Sequence, residues 1–279
     1  MSALPVKPNL ATVLAVTSGK GGVGKTNVVV NVAVAMARLG YRVGILDADF
    51  GLGNVDVLLG LTPECHVGHL LAGEKSLDDI VLPGPLGVRI VPASSGLRSL
   101  TALTPAQRGR LHSALDHLRS SLDFLLIDTA SGISDNVVEM ALLGERVLLV
   151  TSLEPSAVVD AYATAKILSG AAPDKEIGII VNAVRDGDEA GLAFRQIDTA
   201  ANRFLGRSLR YYGFVADDPN VRDAVLVQRA IVDHLPQSPA SRCFRILASR
   251  IAGLGPARGG CRLTMGAATT IATEVSQCA

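Results

Sequence analysis

The stretch Gly19-Lys20-Gly21-Gly22-Val23-Gly24-Lys25-Thr26 constrains this chain more than any other. It follows the apolar run Val13-Leu14-Ala15-Val16 and precedes a helical pattern from about Thr26 to Leu39. Strand, glycine loop and helix thus stand in the order of a phosphate-binding loop, G-x-x-x-x-G-K-[ST]. The chemistry dictates the spacing. Glycines let successive backbone N–H groups turn inward with no Cβ in the way, making a nest for an anion. The helix that follows adds the positive end of its dipole. On this reading Gly19, Lys20, Gly21, Gly22, Val23, Gly24, Lys25, Thr26 and Asn27 line a nucleotide. Lys25 reaches its β- and γ-phosphates and the Thr26 hydroxyl holds Mg²⁺.

A strand feeding such a loop belongs to an α/β fold, here a mostly parallel twisted sheet of about seven to eight strands with helices on both faces. At 279 residues the chain can bury one large core. Hydrophobic residues make up 48% and aromatics only 4%, which suits a Val, Ile and Leu sheet under Ala- and Leu-rich helices. The domain is read as residues 1–253, with a tail at 254–279. That tail breaks at Gly259-Gly260 and carries only two basic residues, Arg258 and Arg262. It lacks a basic, apolar-striped anchor helix and leaves membrane association open. A net charge of zero argues against a direct DNA-binding face. The four cysteines have no C-x-x-C spacing, and Cys65-His66 with His69 reads as an ordinary helix start rather than a zinc site. No apolar run reaches the roughly 18–20 residues of a membrane span and the first residues do not read as a signal peptide. A cytoplasmic protein is expected.

Three further stretches bring polar groups to the carboxyl edge of that sheet. Tyr41–Leu46 reads as a strand delivering Asp47-Ala48-Asp49 beside the phosphates, where Mg²⁺ and an attacking water need oxygen ligands. Asp47 would support the loop or the metal's water shell. The run Phe124-Leu125-Leu126-Ile127-Asp128 reads as a central parallel strand whose terminal carboxylate meets Mg²⁺ through water. The strand Ile177–Val181 ends in Asn182-Ala183-Val184-Arg185. Guanine specificity would show Asn-Lys-x-Asp there, so the missing Lys and Asp favour adenine, with Asn182 at its edge and ATP as the nucleotide. Further helices are expected at about 105–121, 134–144, 155–169, 189–205 and 239–252, and strands at 88–92 and 146–151.

Lys20 is a second lysine inside the loop, and the form K-G-G-x-G-K-T resembles the deviant phosphate loop of the MinD/ParA family of ATPases. The resemblance spans about residues 12–252 and implies an ATP-dependent homodimer in which Lys20 reaches the nucleotide held by the partner. It assigns Asp49 to positioning the hydrolytic water. It also makes Thr129-Ala130-Ser131-Gly132 a second switch whose Gly132 N–H senses the γ-phosphate. Tyr211–Pro219, with Val215 and Asp217, matches the family's adenine-side loop, although Ala216 stands where the family commonly has proline. The strings KGGVGKTNVVVN (20–31), LDADFGLGNVDVLLGL (46–61), GVRIVPASSG (87–96) and Asp160-Ala161-Tyr162 resemble the flagellar-number regulators (the FlhG/FleN branch). That branch implies weak ATP hydrolysis and action on a flagellar transcription activator or on a flagellar-placement GTPase. A division-site ATPase, a partition ATPase, an iron–sulfur carrier and a non-hydrolysing scaffold are the alternatives.

Overall fold

The computed structural model describes residues 10–93 and 103–253. Eight strands form one sheet: β1 (Thr12–Ser18), β2 (Val43–Ala48), β3 (Leu82–Pro83), β4 (Arg89–Val91), β5 (Phe124–Ser131), β6 (Arg146–Thr151), β7 (Glu176–Val184) and β8 (Arg210–Ala216). Their order is β3-β4-β2-β5-β1-β6-β7-β8, and every pair is parallel except β3 with β4. The parallel steps need crossovers, which contain α1 (Lys25–Arg38), α2 (Val55–Leu58), α3 (Val67–Ala72), α4 (Leu77–Ile80), α5 (Pro105–Ser120), α6 (Asp135–Leu142), α7 (Pro155–Ala171) and α8 (Gly187–Leu205). After β8 come α9 (Pro219–Leu226), α10 (Ile231–His234) and α11 (Pro239–Ala252).

Burial on both sides is why the central strands read as continuous apolar runs rather than alternating ones. Along β1, Val13 and Ala15 enter one core while Leu14 and Val16 enter the other. The first core also takes Leu111, Leu115 and Leu118 from α5, Ala161 and Ala165 from α7 and Ala193 and Ile197 from α8. The second takes the Val- and Ala-rich α1 together with Phe244, Leu247 and Ile251 of α11.

Helix starts follow their capping residues. Thr104 and Gln107 exchange hydrogen bonds ahead of Pro105, and the Asp186 carboxylate accepts from the amides of Asp188 and Glu189. His66 plays the same part for α3: its ring accepts from the Gly68 N–H, the His69 ring accepts from its own N–H, and the two rings stack 4.0 Å apart. These imidazoles cap a helix, as the sequence suggested.

The structure moves several strand boundaries: β5 runs past Asp128 to Ser131, so that carboxylate is not terminal, β2 starts at Val43 rather than Tyr41, and β4 covers only Arg89–Val91. β2 runs to Ala48 rather than stopping at Leu46, because Asp47 and Ala48 continue the pairing with Asp128 and Thr129. β7 extends past Val181 to Val184, with a register shift against β8 that accommodates Ala183 at φ 55°. The sheet edges are short or covered. Pro83 sits in the two-residue β3, and the Arg250 guanidinium donates to the Tyr212 carbonyl of β8 (2.9 Å). Residues 1–9, the part of the GVRIVPASSG string beyond Ala93, and the tail 254–279 with its proposed boundary lie outside the described residues.

Candidate nucleotide site at the carboxyl edge of the sheet

β1 delivers Ser18 directly into the glycine loop, and α1 begins at Lys25. Two backbone turns need glycine: Gly22 has φ 80° and Gly24 φ 86°. At Gly24 there is a second reason, since a Cβ would lie 2.2 Å from the Asn182 amide nitrogen. α1 has no side-chain cap and no acidic residue in its first turn, so the side chains leave the anion-seeking amides at its start unanswered.

The two loop lysines live in different surroundings. Lys25 is buried and its ammonium donates to the Asp128 carboxylate in β5. Lys20 stands at the rim, where its ammonium donates to the Glu154 carboxylate and to Ser156 Oγ (2.9 Å), both at the start of α7.

Asp47 and Asp128 are in-register neighbours on β2 and β5, each almost fully buried. Burial pushes the Asp47 carboxyl up to about 7, the Asp128 charge adds to the rise, and the amides of Val55 and Asp49 oppose it. Burial also raises Asp128, against the pull of the Lys25 ammonium and of a hydrogen bond from Thr26. Of the two roles read for Asp47, its hydrogen bonds are those of loop support. Oδ1 accepts from the Asp49 N–H (3.1 Å), and Oδ2 accepts from those of Asn54 (3.0 Å) and Val55 (3.1 Å). The carboxylate therefore ties down the whole loop that carries Asp49. Gly53 is required there because a Cβ would fall 2.7 Å from Asp47 Oδ2 and 2.2 Å from Ala93 Cβ. Asp49 itself is half-buried and accepts from the Leu52 N–H (3.1 Å). Gly132, at φ 101°, donates its N–H to the Ser18 carbonyl (2.8 Å), which joins the end of β5 to the base of the glycine loop.

The donor set suits a hard cation: the Thr26 hydroxyl and the carboxylates of Asp49 and Asp128, gathered where two buried carboxyl groups share one lysine. Among the described residues no three His, Cys, Asp or Glu side chains are arranged to hold a metal by themselves. An ion here would complete its shell with phosphate oxygens and water, as Mg²⁺ prefers.

On the other side of Gly24 lies a cavity of about 110 Å³ that collects Gly24, Asn27, Asn182, Val215 and Asp217. Asn182 Nδ2 donates to the Val23 carbonyl (2.7 Å), and the Asp217 N–H donates to the Val184 carbonyl (2.7 Å). Two long-range contacts of residues read only as helix starts escaped the sequence reading. Asp218 caps α9 through the Asn220 N–H (3.0 Å) and also accepts from the Ala240 N–H of α11 (3.1 Å). Glu154 and Ser156 hold Lys20, and only their place at a helix start signalled them.

The comparisons agree with this geometry. A family described as "ParA: NUBPL iron-transfer P-loop NTPase" matches residues 9–252. The chain is 44% identical over 239 residues to "Antiactivator FleN" of Pseudomonas aeruginosa, covering 86% of this chain and 85% of that one. It is 31% identical over 242 residues to "Flagellum site-determining protein YlxH" of Helicobacter pylori, covering 86% and 80%. Among solved structures it superposes on the septum site-determining protein MinD of Pyrococcus horikoshii, solved with Mg-ADP, with a TM-score of 0.73 and 25% identity, covering 87% of this chain and 96% of that one. With the deviant loop, its buried lysine–aspartate pair and the eight-stranded sheet in place, the chain belongs to the MinD/ParA family of P-loop ATPases.

Proposed function

We propose that this chain is an ATP-dependent dimerising switch that controls flagellar number or flagellar gene expression. The observation that carries the reading is the division of labour between two lysines of one loop: Lys25 is buried on Asp128 and Lys20 waits at the exposed rim. The names of its relatives, an antiactivator and a flagellum site-determining protein, supply the flagellar context. Its targets would be a flagellar transcription activator or a flagellar-placement GTPase, met in the cytoplasm or at the cell pole.

The residues divide the work. Gly21 to Thr26 and the start of α1 cradle the phosphates of ATP, and Lys25 neutralises the β,γ-bridge. Thr26 and Asp128 hold Mg²⁺, which when bound offsets charge on the transferred phosphoryl group. Asp49, fixed by Asp47, orients the attacking water. Asn182, Val215 and Asp217 face the adenine. Lys20 crosses to the partner's nucleotide, so that loss of the γ-phosphate loosens the pair. Gly132 reports that loss by giving up a bond to the phosphate and taking back the one to the Ser18 carbonyl.

The test is gel filtration with light scattering in ATP, a non-hydrolysable analogue and ADP. Dimers are expected with the first two alone, and Lys20→Ala is expected to bind nucleotide as a monomer. Dimers persisting in that variant refute the bridging role. Retention of the purified activator or GTPase with ATP and not with ADP identifies the target, and retention of neither removes the flagellar assignment. Among the described residues Cys65 precedes α3 and Cys243 is buried in α11, and the four cysteines of the sequence show no C-x-x-C spacing.

A further inference from the structure

We propose that Glu154 and Ser156 are positioning residues that hold Lys20 on its own subunit and so set how readily nucleotide draws two copies of the chain together. This rests on the bridging role given to Lys20 above.

The contact is neither local nor incidental to the loop's path. Lys20 and Glu154 are 134 residues apart, and the ammonium meets two acceptors at the start of α7, the Glu154 carboxylate and Ser156 Oγ at 2.9 Å. The loop is pinned where it must be for this to happen. A Cβ on Gly19 would lie 2.3 Å from the Asp160 carbonyl oxygen and 2.7 Å from Thr164 Oγ1, so the loop backbone rests directly on α7. Glycine at position 19 therefore serves this packing, and it fixes the distance between the root of Lys20 and the first turn of α7.

The surroundings make the hold reversible. The Lys20 side chain is 36% exposed and that of Glu154 64%, whereas Lys25 and Asp128 are at 6% and 1%. An exposed ion pair holds weakly because water competes for both charges, while the buried pair next door parts only when a new counter-charge is supplied to each member. Lys20 can therefore leave its partner at little cost. Beyond it the loop opens outward, since nothing lies within 4 Å of where a Cβ of Gly21 or Gly22 would stand. A polyphosphate presented by a second copy competes with Glu154 for the ammonium. Once displaced, the Glu154 carboxylate can turn to solvent. In a symmetric pair two such contacts break together, so the penalty enters twice.

The experiment uses the full chain with Mg²⁺ and a non-hydrolysable ATP analogue and measures the dimer dissociation constant by sedimentation. Glu154→Gln is expected to tighten the dimer by about two- to thirtyfold, the square of what one exposed ion pair is worth. Ser156→Ala is expected to act in the same direction and less. With ADP both variants stay monomeric, and their melting temperatures fall by no more than a few degrees. Glu154→Gln added to Lys20→Ala is expected to change nothing, which a general effect on the surface of α7 would not reproduce. A Glu154→Gln dimer that is weaker than or equal to wild type overturns the proposal, as does tightening that persists without Lys20. Should Lys20→Ala alone dimerise like wild type, the bridging role itself has failed. Should Lys20→Ala be monomeric while Glu154→Gln is silent, only the positioning role has failed.

Discussion

The two ends of the groove at the carboxyl edge are built from different materials. At the end proposed for the phosphates, charged side chains of two adjacent strands and of the start of α1 do the work: Lys25, Asp47 and Asp128 are buried against one another and against backbone amides. At the end proposed for the base, the cavity beside Gly24 is bounded by a carboxamide, main-chain groups and apolar side chains, with Asn182 tied to the glycine loop and Asp217 to the end of β7 by single hydrogen bonds. The first end is an electrostatic device in low dielectric, where each group depends on its partner. The second is a shape lined with a few directional contacts, where each group can be lost separately.

If that contrast is right, Lys25→Ala should do the most damage. It removes the counter-charge of a buried carboxylate, so denaturant unfolding should show a loss of about 3–5 kcal/mol alongside loss of ATP binding. A protein that keeps its stability and loses only binding would show that the two carboxylates tolerate each other alone.

The next effect is one of pH. Asp47 has a folded-state value near 7, above the ordinary 3.8 of an unfolded chain. The folded protein therefore binds the extra proton between these values. Stability attributable to Asp47 is present below the unfolded value and is lost as pH rises through about 7. In the nucleotide-free protein the swing is up to about 4 kcal/mol, and Asp47→Asn should flatten it. Urea midpoints taken from pH 4 to 8 decide this, and an unchanged slope in the variant would move the titration to another group.

Asp49→Ala should lower steady-state ATP hydrolysis by about a hundredfold or more, the scale of a positioned proton-transfer or water-orienting group, while leaving the affinity for ATP near wild type. Unchanged turnover would remove Asp49 from the chemistry. Smallest of all, Asn182→Ala should weaken adenine nucleotides by roughly tenfold, about the worth of one hydrogen bond, with little effect on stability. Titration of ATP and GTP side by side measures it, and equal weakening of both would show that Asn182 only shapes the loop through Val23.

The same contrast explains what could be read in advance. The elements that carry the proposed phosphate site were legible because its chemistry demands particular residues at fixed spacing along a strand: Gly19 to Thr26 after β1, Asp47 and Asp49 at and just past the end of β2, Asp128 closing the apolar run of β5. The strand β6 and the helix α11 were also placed to the residue, since one is a short apolar run between a charged turn and a proline and the other is opened by Ser238-Pro239. α2, α4 and α10, four residues each, and the two-residue β3 are too short to carry a period and passed unseen. Glu154 and Asp218 were missed for another reason. Each is an ordinary helix-start residue whose partner lies far along the chain, and only the folded path brings Lys20 to one and Ala240 to the other.

β3 has a consequence for how copies of this protein can meet. A two-residue border strand containing a proline offers a neighbour almost no ladder to extend, and on the far border an arginine already occupies a carbonyl of β8. Joining molecules by lengthening the sheet, a route that tends toward permanent fibres, is thereby disfavoured at the β3 border. A partner that meets the loops at the carboxyl edge, as proposed here, makes bonds that can be formed and undone many times in the life of one molecule.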